Sequence, residues 1–198
     1  MLFLGSIVIT WQGCTKNGSE SVEGTVLEYG SNKPVPNATV YLMEVKGTIL
    51  GPSGSSKIDS TTSDHEGRYK FTYMDNPYVS EIRGKANLYY DNYAYIMGTG
   101  RKLKTDLILD PHAWLRIHVK SNSPDNTRNS ILFDNHSFEC KTGGFSGPFI
   151  DTSAVCQFKG GRNIDFRYRI ATNVNGNENF VLNQYLSPHD TTTILIEF

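Results

Sequence analysis

The sequence predicts an all-β protein made of two small sandwiches in succession. Three observations point there. Short runs of alternating apolar and polar residues are broken at close intervals by Gly, Asn, Asp, Ser and Pro, the pattern of half-buried strands joined by turns. Strand-favouring aromatic residues are plentiful, with 11 Tyr and 10 Phe. Long helix-forming stretches are missing. The 198 residues suffice for one large domain or two small ones. A net charge of −1, with no arginine–aromatic stripe, gives no footing for nucleic acid.

The first segment is an uncharged apolar run, Met1 to Gly13, that closes on Cys14 and opens into polar Thr15 to Glu20. The run is too short to span a bilayer, which needs roughly twenty apolar residues. An apolar segment ending in a small residue and then cysteine resembles the export signal of a bacterial lipoprotein, although Trp11 stands where leucine is common and no Lys or Arg precedes the run. The resemblance implies that residues 1–13 are a cleaved signal peptide. Cys14 is then the lipidation site and residues 14–21 a polar tether.

The first domain is expected over residues 22–110. Val22 to Tyr29 alternates as a strand, Gly30 to Pro34 turns the chain, and Asn37 to Val45 forms a second strand. The Gly/Ser/Pro-rich insertion from Gly47 to Ser56 reads as a surface loop. Asp64-His-Glu-Gly67 is a turn whose glycine supplies positive φ, and Arg68 to Tyr73 returns as a strand.

Three motifs here resemble the carboxypeptidase regulatory-like domain: Val22-x-Gly24-x-Val26, Lys33-Pro-Val-Pro-Asn-Ala-Thr-Val40, and Thr61-Thr-Ser-Asp64-x-Glu-Gly67-x-Tyr-x-Phe71. Asn37 stands where that family usually has glycine. The resemblance implies a transthyretin-like Greek-key β-sandwich, non-catalytic, serving as a spacer or docking module.

The second domain is expected over residues 111–198, as a second small β-sandwich without a recognisable family, with a sheet continuous with the first domain as the alternative. Asp110-Pro111 marks the boundary because proline interrupts strand pairing and favours an extended linker. In Trp114 to Lys120, Leu115, Ile117 and Val119 share one face; Ile164 to Ile170 and Thr191 to Phe198 are further strands. Of the three cysteines, setting Cys14 aside leaves Cys140 and Cys156. Phe138-Glu-Cys140 and Cys156-Gln-Phe158 are mirror-related, so an antiparallel pairing places both cysteines and both phenylalanines on one face. Gly143 to Pro148 is the hairpin loop in this scheme. Such a disulfide would contribute roughly 3 kcal/mol. The competing reading is two reduced core thiols; a zinc site with His136 lacks a fourth ligand.

A search for catalytic motifs returns no metal-binding helix, phosphate loop or nucleophile elbow, so the chain reads as non-enzymatic, without cofactor or metal. The expected function is a lipid-anchored, non-enzymatic binding or adaptor module of the bacterial cell envelope. Its anchor is the outer or inner membrane, and it faces the periplasm or the exterior. Its partner is then an envelope protein or a surface glycan. The alternatives are a carbohydrate-binding lipoprotein and a purely structural spacer. Candidate ligand-binding residues are Tyr89, Tyr90 and Tyr93 in the tyrosine cluster, and Trp114, whose rings are suited to stacking on sugars. The same rings also suit packing across a sheet edge.

Overall fold

The computed structural model describes residues 19–48, 51–74, 78–97, 101–121, 129–134, 140, 142–172 and 176–198. The expected signal peptide and Cys14 lie outside these residues. The strands are β1 (Ser19–Glu28), β2 (Thr39–Thr48), β3 (Gly51–Thr62), β4 (Arg68–Met74), β5 (Val79–Lys85), β6 (Tyr89–Tyr90), β7 (Asn92–Tyr95), β8 (Lys102–Lys104), β9 (Leu107–Lys120), β10 (Asn129–Phe133), β11 (Gly144–Gly147), β12 (Asp151–Lys159), β13 (Arg162–Thr172), β14 (Gly176–Leu186) and β15 (Thr191–Glu197). Among the described residues there is no helix, and the fold is all-β.

In the first half, β4 pairs antiparallel with β1. The other side of β1 is taken by β8 and then by the start of β9, both parallel. The facing sheet runs β3-β2-β5-β7. Alternation decides what lies between them: Val22 and Val26 of β1, Tyr69 and Phe71 of β4, and Leu107 and Leu109 of β9 meet Val40, Leu42 and Ile82 from the other sheet, all buried. The Asp64–Gly67 turn forms as the sequence requires. The Asp64 carboxylate accepts the backbone N–H groups of Glu66 and Arg68 at 2.9 and 2.8 Å. Gly67 sits at φ 73°, where an added Cβ would meet the Val26 carbonyl oxygen at 2.7 Å.

The second half stacks β12-β9-β15 on β11-β10-β13-β14. Leu115, Ile117 and Val119 of β9 pack with Phe166, Ile131 and Phe133 in a second core. An aromatic row crosses it: Phe133 to Phe166 at 5.4 Å between centroids, Phe166 to Tyr168 at 5.9 Å, and Tyr168 to Phe180 at 5.1 Å.

Three expectations need correction. The two cores do divide near residue 110, but Asp110-Pro111 is not a linker. It is the middle of β9, which continues unbroken from one sandwich into the other. Proline is tolerated there because β9 changes neighbours at that point, from β1 through Leu109, to β6 at Asp110 and Pro111, to β12 from His112. The described residues of the Gly47–Ser56 insertion are not a loop but the end of a long β2–β3 hairpin, Gly47 and Thr48 closing β2 and residues 51–56 opening β3, with a register shift between Lys46 and Gly47. The Cys140–Cys156 disulfide is present, yet it is not a cross-strand bridge. Cys156 lies on β12, whose partner is β9, while Cys140 lies outside any strand between β10 and β11. The bond therefore ties one sheet of the second sandwich to the other. The expected hairpin loop is strand β11, paired with β10. Phe138 and His136 lie outside the described residues.

Candidate functional site

Where β9 passes between the cores, two buried carboxylates are held by groups from both halves. Glu28 ends β1 in the inward frame set by Val22 and Val26, so its side chain is carried towards the interior. Its Oε1 accepts the Ser31 hydroxyl at 2.7 Å, and its Oε2 accepts the Tyr89 hydroxyl at 2.8 Å. His189, from the turn between β14 and β15, places Nε2 2.8 Å from the same Oε2 and 3.2 Å from the Tyr89 oxygen. The Tyr89 and His189 rings meet edge to face at 4.9 Å. Burial pushes the Glu28 carboxyl up, but the hydrogen bonds from Ser31, Tyr89 and His189 and the charge of His189 outweigh it, and its pKa is lowered. The Tyr89 hydroxyl is raised well above the usual range by burial and by its bond to Glu28.

Asp110, 9% exposed at its side chain, is the second carboxylate. Lys159 of β12 reaches its Oδ2 at 2.8 Å, and Arg162 of β13 pairs with its Oδ1. The Arg162 guanidinium also lies 4.0 Å from the Tyr29 ring centre, and the Lys159 ammonium 5.7 Å from that of Tyr90. Below these, the loops of the two halves touch backbone to backbone. Gly30 and Gly161 both have positive φ, 83° and 74°, and a Cβ on Gly161 would stand 2.9 Å from the Tyr29 carbonyl oxygen. A cavity of about 450 Å³ beside the clasp is lined by Glu28, Lys33, Tyr89, Tyr185, Pro188 and His189.

The structure disperses the expected ligand residues. Tyr89 is committed to Glu28. Tyr90 is half-buried, edge to face with His112 at 4.4 Å. Trp114 stands on the outer face of β9, 6.2 Å from His112. Tyr93 is exposed on β7, paired with Tyr95 at 5.4 Å. Tyr90 and Trp114 thus flank His112, while Tyr89 and Tyr93 are held in separate contacts. The groups that sequence reasoning missed are Glu28, Asp110, Lys159, Arg162 and His189. One signal was available: Glu28 is a charged residue in the inward frame of its strand.

Chemically the arrangement is a clasp. Each carboxylate is already engaged by donors, and among the described residues no group of three or more His, Cys, Asp or Glu is placed to hold a metal ion.

No family model matches the chain, and no curated protein matches it. Solved structures do. The Bacillus anthracis TIE protein is 13% identical, with 90% of this chain and 34% of that one covered, at a TM-score of 0.35. A streptococcal ancillary pilin is 8% identical over 92% of this chain and 63% of that one, at 0.36. GBS52, a minor pilin of Streptococcus agalactiae, is 11% identical over 90% and 94%, at 0.33. The chain thus spans about a third of the first of these proteins and under two thirds of the second. At such scores the likenesses carry no function to this chain.

No family model, the carboxypeptidase regulatory-like domain included, supports the motif resemblance. That assignment is withdrawn. With it go the lipid anchor at Cys14, the membrane as partner, and the inner- or outer-membrane address.

Proposed function

We propose that the chain is a non-enzymatic structural or adaptor module that holds two β-sandwiches in one fixed orientation, in an oxidising compartment such as the cell envelope or exterior. The observation that carries this reading is β9. Its odd-numbered face supplies Leu107 and Leu109 to the first core, then Ala113, Leu115, Ile117 and Val119 to the second. A strand buried in both cores cannot bend between them without exposing apolar side chains from each. The clasp adds to this stiffness, because Glu28 reaches His189 and Asp110 reaches Lys159 and Arg162, all three on the second half. The Cys140–Cys156 bond supports the compartment, since such bonds persist outside the reducing cytosol.

Stiffness is measurable. Paramagnetic labels at exposed Asp59 and Arg167, one on each sandwich, report the distribution of distances between them. One narrow distribution is expected, broadening when Glu28→Gln and Asp110→Asn are combined. A broad distribution in the unaltered protein would overturn the reading.

A further inference from the structure

The second sandwich is one strand short on one side. Three strands, β12-β9-β15, face four, β11-β10-β13-β14. The disulfide holds β12 to the β10–β11 side, and β15 lies towards β13 and β14, which share a cavity with it. Inward-facing Phe180 and Leu182 of β14 are consequently only partly buried, as are Ile194 and Phe198 beside β15. A fourth strand laid against β15 would cover them.

The edge of β15 is equipped to accept one. Trp114 N–H donates to the Asp190 carbonyl at 2.9 Å, and Phe198 N–H to that of Lys120 at 3.1 Å. With the parallel register that pairs Thr191 with Trp114 and Glu197 with Lys120, the even-numbered residues of β15 bond to β9. Thr193, Leu195 and Glu197 therefore turn their N–H and C=O groups to the other side, where no strand among the described residues meets them. The Thr191 N–H is already taken, by the Asp190 carboxylate at 2.7 Å.

We infer that β15 is a docking edge for an extended strand of a different, basic protein: alternate apolar side chains inward, Lys or Arg at the rim. Hydrogen bonding to the β15 backbone gives the strand its place, and the apolar row gives it a face to bury. Charge selects the partner. The adjoining cavity, about 370 Å³, is lined by Tyr168, Phe180, Ile196 and Phe198, and its two charged lining residues are Glu178 and Glu197. Among the described residues neither carboxylate forms an ion pair. A second copy joined through the same edge, β15 to β15 or to β14, brings no cation, because neither strand contains Lys or Arg. The inference stands on the second sandwich alone and does not depend on the stiffness of the junction.

The test uses the full oxidised chain and a short synthetic peptide alternating valine and threonine between two lysines, with a glutamate-ended counterpart and a backbone N-methylated version. Calorimetry is expected to show saturable binding of the lysine peptide, about tenfold weaker binding of the glutamate peptide, and none of the methylated one. Glu178→Lys with Glu197→Lys, both exposed and harmless to folding, is expected to reverse the charge preference. Leu195→Pro removes an edge N–H and is expected to abolish binding while the melting transition persists. Absence of binding by the lysine peptide, or indifference to the charge reversal, overturns the inference. So does concentration-dependent dimerisation that Leu195→Pro abolishes, which would make a second copy the occupant.

Discussion

In the first sandwich the fourth strand of the wider sheet, β3, is exposed from Gly54 to Ser60 and buries nothing, so three strands effectively face three and the core is closed. In the second, the fourth strand β14 turns Phe180 and Leu182 inward with no strand among the described residues above them, and a disulfide ties the sheets together on the opposite side. The same imbalance in strand number thus has two meanings. An uncovered polar arm is a finished surface; an uncovered apolar row is an interface awaiting its other side. The side chains, not the strand order, distinguish them.

The comparison breaks most visibly at two phenylalanines of the second sandwich. Phe166 is fully enclosed and Phe180 only half-covered. Phe166→Ala is expected to cost about 4 kcal/mol and Phe180→Ala about half that, since less of its surface leaves water. Denaturant unfolding reads both values. Equal costs would mean that Phe180 is covered in solution and the second sandwich is closed like the first.

The staple is the next difference. Cys140→Ala combined with Cys156→Ala is expected to remove about 3 kcal/mol, with the bonded residues 16 apart in sequence. Because the bond links the two sheets of the second sandwich only, the loss should appear there. Amide exchange is expected to accelerate in β12 and β13 and to stay unchanged in β2 and β5. Uniform acceleration would show that the two halves unfold as one unit.

Asp110 probes the join itself. Asp110→Ala leaves Arg162 and Lys159 without their carboxylate. Full burial of such charges would make this cost several kcal/mol, but both cations are partly exposed and the expected loss is about 2 kcal/mol. Exchange should quicken in both sandwiches, unlike the cysteine variant. An effect confined to the second would mean that β9 alone carries the coupling.

Much of this frame is visible in the chain. The alternation of Leu115, Ile117 and Val119, the Asp64–Gly67 turn, and the pairing left to Cys140 and Cys156 once Cys14 is set aside all follow from local rules. What escapes is whatever depends on neighbours distant in sequence. Pro111 reads as a break because proline is a poor ladder member, yet β9 changes partners at that position and proline removes nothing needed there. Gly47 to Ser56 reads as a loop because glycine and serine dominate, although its described residues belong to β2 and β3, which pair with each other. The clasp was harder still: Glu28, Asp110 and His189 are separated by most of the chain, and only the inward frame of Glu28 hinted at a buried polar partner. Short motifs misled most at the family level, where three local matches were offered for a domain that no family model supports.

Acidification separates the halves of the clasp by their titration. His112 has its pKa lowered from 6.5, first by burial and then by the charge of His189. Glu28 has its pKa lowered from 4.5 by hydrogen bonds that outweigh its burial. In both cases the unfolded chain binds the proton more readily than the folded one, so stability is present above the ordinary value and declines as pH falls through it. The melting temperature is therefore expected to drop in two stages, one below 6.5 and a second below 4.5. His112→Asn should flatten the upper stage, and Glu28→Gln the lower while reducing stability at neutral pH. The flanking groups sharpen the assignment: Ser31→Ala removes one donor to Glu28 without removing a charge, so it should shift the lower stage towards higher pH. A melting temperature that rose on acidification would overturn the assignment of both stages.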